Sequence, residues 1–116
     1  KRLDTIAPML RERHGLRNVY LKLDTQGHDL EVVRGAEATL PGVRGLQTEV
    51  SIIPIYEGMP DFFAVSSFLS ARAFDISALF AVSRDGQQRV IEFDCVMVNR
   101  TTTPAAGGTR FAARLP

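Results

Sequence analysis

Apolar and polar positions alternate along part of this chain and recur with helical spacing along the rest, and the order of the two signals outlines a fold. Over residues 4–14, DTIAPMLRERH, Ile6, Met9 and Leu10 share one helical face. Asp4 or Thr5 stands where an N-cap is needed, Pro8 falls near the first turn, and Gly15 offers a C-terminal stop. Residues 18–24, NVYLKLD, set Val19, Leu21 and Leu23 against Tyr20, Lys22 and Asp24, a strand pattern. Over 28–40, Leu30, Val33 and Leu40 make a helical stripe that ends at Pro41-Gly42. Asp29 and Glu31 in its first turn complement the helix dipole.

Residues 44–53 form a second strand, with Leu46, Thr48 and Val50 facing one way and Gln47, Glu49 and Ser51 the other. The loop PIYEGMP covers 54–60. Phe62, Val65, Phe68, Leu69 and Arg72 then mark a helix over 61–73, with Asp61 near its start. Two apolar runs, 74–82 and 89–98, flank Asp85-Gly86, a strong hairpin signal. Residues 100–116 are turn-rich and read as a tail or linker after a domain spanning 1–99.

Helix-linked strands in one sheet are normally parallel, whereas strands joined by a tight turn are antiparallel. The pattern therefore predicts an α/β fold: a four-stranded mixed sheet of two parallel strands plus a C-terminal antiparallel hairpin, with helices packed on its faces.

Composition narrows the function classes. The 116 residues are 45% apolar and 23% charged, with a formal net charge of +1, values ordinary for one globular domain. No block of like charges points to nucleic acid or to an anionic membrane surface, and no apolar run of about 20 residues is present to span a bilayer. Cys95 is the only cysteine, which excludes an internal disulfide and suits a reducing, cytoplasmic setting. The chain begins KRLDTIAP, without an initiator Met and on a helix, so it reads as a piece of a longer polypeptide; a trimmed mature N-terminus is the alternative.

The segments LKLDTQGHDLEVVRGAEATL and LQTEVSIIPIYEGMPDF, followed by a helix and a closing FDCVMV, resemble the FkbM family of S-adenosylmethionine-dependent methyltransferases over roughly residues 2–99. A sheet of parallel strand–helix units ending in a reversed hairpin is similar to the second half of a class I methyltransferase (Rossmann-like) fold. On this resemblance, Asp4–His14 correspond to the helix before the fourth strand, 18–24 to the fourth strand, 44–51 to the fifth, and the hairpin to the last two. The implied reaction is in-line transfer of a methyl group from S-adenosylmethionine to a hydroxyl of a sugar or secondary metabolite. The chain departs from the family in lacking a glycine-rich loop after a first strand and an acid after a second, so the cofactor's main cradle would lie upstream. Gln26-Gly27-His28 also stands where the family more often has Glu-Gly-Ala.

Candidate chemistry gathers where strands end, because ligands in open α/β sheets sit at the carboxyl edge. Asp24 could orient or deprotonate an acceptor hydroxyl, or instead cap the next helix. Glu49 could contact substrate, or pair with Lys22 inside the sheet's polar edge. His28 could serve as a base, a role for which histidine is commonly used, or stand simply as a solvent-exposed residue at the helix end, where the positive pole of the helix dipole disfavours an imidazolium. Tyr56, Glu57 and Gly58 are placed to wall an acceptor pocket, with Tyr56 packed on the core as the alternative. Asp24, His28 and Glu49 also suggest Mg2+, for which the two carboxylates would supply oxygen ligands, but the three lack a ligand-spacing motif and no metal site is assigned. Cys95 reads as a small core hydrophobe, His14 as a helix C-terminus partner, and the phenylalanines as core. The resemblance also leaves strand 18–24 as an open edge, from which either a homodimer or instability is expected unless another surface covers it. A non-catalytic α/β interaction module lacking the cofactor loop is the competing reading.

Overall fold

The computed structural model describes residues 1–55 and 57–102. Tyr56 and residues 103–116, which include one pocket-wall candidate and most of the expected tail, lie outside the described residues.

The chain runs α1 (Leu3–His14), β1 (Val19–Lys22), α2 (Asp29–Arg34), a 3-10 turn (Leu40–Gly42), β2 (Val43–Ser51), α3 (Phe62–Ser70), β3 (Phe74–Arg84) and β4 (Val90–Asn99). The four strands form one mixed sheet in the order β1-β2-β4-β3. β1 and β2 are parallel; β4 is antiparallel to both β2 and β3. The α/β class, the parallel pair and the terminal hairpin are as the alternation predicts.

The hairpin turn is set by Asp85, whose Oδ1 accepts from the backbone N–H groups of Gln87 and Arg89 at 2.8 and 2.9 Å. Its Oδ2 accepts from Arg89 Nε at 2.7 Å. One carboxylate thus satisfies three donors and fixes the register of two long strands.

The core lies on one side of the sheet. Leu46, Val50, Phe74, Cys95 and Met97 are buried there against Leu30 and Val33 of α2, Leu40, and Val65 and Leu69 of α3. Alternation explains the selection: each strand sends every second side chain to this face. Cys95 is a buried thiol, pushed up to about 11 by desolvation, as suits a core residue. Helices flank the sheet as expected; on the face opposite the core most side chains are half-buried or exposed, including Tyr20 and Val98, while Ser51 is buried. On that face Tyr20 lies over its register partner Gly45, where a Cβ would come within 3.2 Å of the ring.

Two helices differ from the sequence pattern. α2 ends at Arg34 instead of continuing to residue 40. Gly35 breaks the helical preference, and the N–H groups of Ala38 and Thr39 donate to Asp4 at 3.0 and 2.8 Å. Asp4 therefore does not cap its own helix; Arg2 holds the N-cap position without a side-chain bond. α1 buries Ala7 while leaving Met9 64% exposed, so the apolar face read from Ile6, Met9 and Leu10 is not its packing face. Gly15 closes α1 in the left-handed conformation, as expected of a C-terminal stop. α3 begins as predicted: Asp61 Oδ1 accepts from Ala64 N at 2.9 Å.

Candidate functional site

The turn after β1 is built to hold a fixed shape. Gln26 and Gly27 both have positive φ, 53° and 92°, which turns the chain sharply between Asp24 and α2. For a non-glycine residue this conformation is costly and persists only where its surroundings enforce it. The enforcement comes from Asp29, which is 5% exposed. Its Oδ1 accepts from the backbone N–H of Thr25 at 3.0 Å and from the Thr25 hydroxyl. Its Oδ2 accepts from Thr48 Oγ1 on β2 at 2.5 Å. A buried carboxylate is tolerated when its oxygens are so satisfied. The network ties the β1–α2 turn to the neighbouring strand.

Two constellations result. The first is a cleft of about 700 Å³ between the turn after β1 and the loop after β2, lined among others by Gln26, His28, Glu31, Arg34, Glu57 and Gly58. It brings together three predicted residues, His28, Glu57 and Gly58, across 30 positions of sequence. His28 precedes α2 and lies 3.3 Å from Glu31 Oε2 through Nδ1, both side chains being exposed. Gly58 has φ 74°, a conformation that favours glycine and shapes the loop.

The second constellation is a group of carboxylates on the sheet face opposite the core. Glu49 is the register partner of Asp94, and Glu92 is that of Ser51, two positions further along. Directly opposed residues share a face, so Glu49, Asp94 and Glu92 project together. Asp24 joins them from the end of β1, where its Oδ1 accepts from Gln26 Nε2 at 3.3 Å. Glu49 shows the consequence: its pKa is pushed up to about 6, first by burial, then by a hydrogen bond with Glu92 and by the charges of Glu92, Asp94 and Asp24. Glu92 also accepts from Ser83 Oγ at 2.7 Å.

The proposed sites divide between these groups. Asp24 and Glu49 lie in the carboxylate group; His28, Glu57 and Gly58 lie in the cleft. The alternative role for Asp24 as the α2 cap is not seen, since Asp29 makes the bonds that shape this turn. The ion pair expected between Lys22 and Glu49 does not form either. Lys22 stands opposite Gln47, and the ion pairs of the described residues are His28–Glu31, Glu37–Arg72, Asp85–Arg89 and Asp75–Arg100. Among the described residues no group of three His, Cys, Asp or Glu is placed to hold a metal ion.

Sequence reasoning missed Asp29, Thr48, Glu92 and Asp94. Thr48 carried a signal, a hydroxyl inside the apolar stripe Leu46-Thr48-Val50 that required a buried partner. Glu92 and Asp94 carried none without the strand order, because only the placement of β4 beside β2 sets them next to Glu49.

No protein-family model, curated protein or solved structure compared with the chain matches it. No helix among the described residues is long and apolar enough to cross a membrane.

Proposed function

We propose that this chain forms the acceptor side of an S-adenosylmethionine-dependent O-methyltransferase acting on a hydroxyl of a sugar or secondary metabolite. The observation that carries the reading is the meeting of three loop residues, His28, Glu57 and Gly58, in one cleft at the carboxyl edge of a parallel strand pair. The reversed hairpin that completes the sheet is the feature on which the resemblance to the second half of a class I methyltransferase rests.

The cofactor fits these residues only in part. The carboxylate group gives a field suited to a sulfonium cation, but the β1–α2 turn holds a single glycine, Gly27, and makes no close backbone cradle. On the resemblance, such a cradle would be supplied by residues other than these. When bound, the cofactor supplies an electrophilic methyl group. The chain's own residues would align the acceptor and take up its proton. Glu49 is the better base of the two strand-end acids, because a pKa near 6 lies closer to neutrality than an ordinary carboxylate's. Asp24 would orient the hydroxyl, and Glu57 and His28 would hydrogen-bond a distant part of an acceptor long enough to reach from the carboxylate group into the cleft. A cytoplasmic setting suits this use of S-adenosylmethionine.

Amide chemical-shift mapping with a panel of neutral glycosides tests the acceptor cleft. Shifts concentrated at Gln26–Glu31 and Glu57–Met59 are expected. Shifts scattered over the surface, or none, would remove the acceptor role. The reading of the chain as a non-catalytic interaction module is favoured by one observation, the run of exposed apolar side chains along the edge strand β3.

A further inference from the structure

The cleft between the turn after β1 and the loop after β2 extends along α2. Leu30, Glu31 and Arg34 all line it, because positions three and four apart in a helix share one face. Ala64 of α3 lines it as well. Among the described lining residues Arg34 is the only lysine or arginine.

Arg34 is held in place without being neutralised. Its guanidinium carbon lies 5.8 Å from the centroid of the Phe68 ring, four residues along α3 from Ala64. A cation–π contact at this range restrains the group and uses none of its five N–H donors. Arg72 stacks on the same ring at 3.4 Å, but its donors are engaged. It donates from Nε to Glu37 at 2.8 Å, from Nη2 to the same carboxylate, and from Nη1 to the Phe68 carbonyl at 2.9 Å. Arg34 donates to no described residue. Glu31 stands three residues before Arg34, a spacing that permits an ion pair on a helix. Its Oε2 lies instead 3.3 Å from His28 Nδ1. Glu57, the other acid of the cleft, forms no ion pair with a described residue.

We propose that the acceptor bound in this cleft carries an anionic group, a carboxylate or a phosphate, and that Arg34 binds it. The proposal rests on the reading of the cleft as an acceptor site and adds the class of substrate. Both anions match the planar fork of a guanidinium, which presents two parallel N–H donors at once. Glu31 and Glu57 disfavour an anion elsewhere in the cleft. The charged group is thereby confined to the end beside Phe68, and hydroxyls suit the part of the cleft lined by Gln26 and Glu57.

Amide chemical-shift titration of the chain with three probes tests this: methyl glucoside, methyl glucuronoside and glucose 1-phosphate. One anionic probe is expected to bind about fivefold more tightly than the neutral glucoside, the upper range for a charged pair at an exposed arginine. Which of the two it is distinguishes carboxylate from phosphate. Arg34→Gln is expected to abolish the preference, with affinity for the glucoside and circular dichroism unchanged. Arg34→Lys, which keeps the charge and loses the fork, is expected to recover part of it. A glucoside that binds in the cleft as tightly as both anionic probes overturns the proposal and leaves the acceptor reading standing. A preference that survives Arg34→Gln also overturns it. Cleft residues that respond to none of the three probes overturn the acceptor reading and this proposal together.

Discussion

Glu49 on β2 and Asp94 on β4 stand directly opposite each other, carboxylate facing carboxylate across adjacent strands. Like charges so placed are destabilising, and Glu92 and Asp24 add to the repulsion. Fold stability does not explain this group; on the proposed function it is a place to hold or move a proton.

The first prediction is a stability that falls as pH rises. Glu49 has a folded pKa of about 6, above its ordinary value of 4.5, so the folded state binds its proton more tightly than the unfolded state. The resulting stabilisation is fully present below about pH 4.5 and is lost as pH rises through about 6. Allowing for solvent screening at this half-buried position, the change is about 1 kcal/mol. Glu49→Gln should flatten that dependence in urea unfolding and raise stability at pH 7.5, while abolishing the proposed methyl transfer. Loss of stability at pH 7.5 would show that Glu49 serves the fold.

Asp4 predicts the opposite sign. Hydrogen bonds from the Thr39 hydroxyl and from the N–H groups of Ala38 and Thr39 hold its pKa below the ordinary 3.8. Its contribution is present above that value and lost as pH falls through the folded pKa. Asp4→Asn should speed amide exchange at Ala38 and Thr39 and loosen α1, with little change in exchange along β2 and β4. Equal acceleration throughout would mean that α1 is part of the cooperative core.

A third prediction concerns the lock beneath the cleft. Asp29→Ala leaves the Thr25 N–H and the buried Thr48 hydroxyl without their acceptor, at a cost of about 2–3 kcal/mol. Thr48→Val removes one donor and should cost about 1–2 kcal/mol. Both should also free the strained Gln26 conformation, seen as altered chemical shifts over 24–28. A normal turn in a fully stable Asp29→Ala protein would refute the lock.

How much the sequence revealed follows from what each residue depends on. The strands were legible because Leu46, Val50, Cys95 and Met97 must alternate to reach one core. The end of α2 was not, because it depends on Asp4, 34 residues before the Ala38 N–H it binds. Asp24, His28, Glu57 and Gly58 were found from their place after strands, a local property. Their division between cleft and sheet face was hidden, as were Glu92 and Asp94, since both depend on β4 entering between β2 and β3.

The most direct test of the methyltransferase account is calorimetric titration of S-adenosylhomocysteine into the longest polypeptide that contains this chain, with the 116-residue chain alone as control. The account predicts saturable one-to-one binding to the longer protein and none, or far weaker binding, to the chain alone. No binding to either would contradict it, and the roles proposed for Asp24 and Glu49 would fall with it.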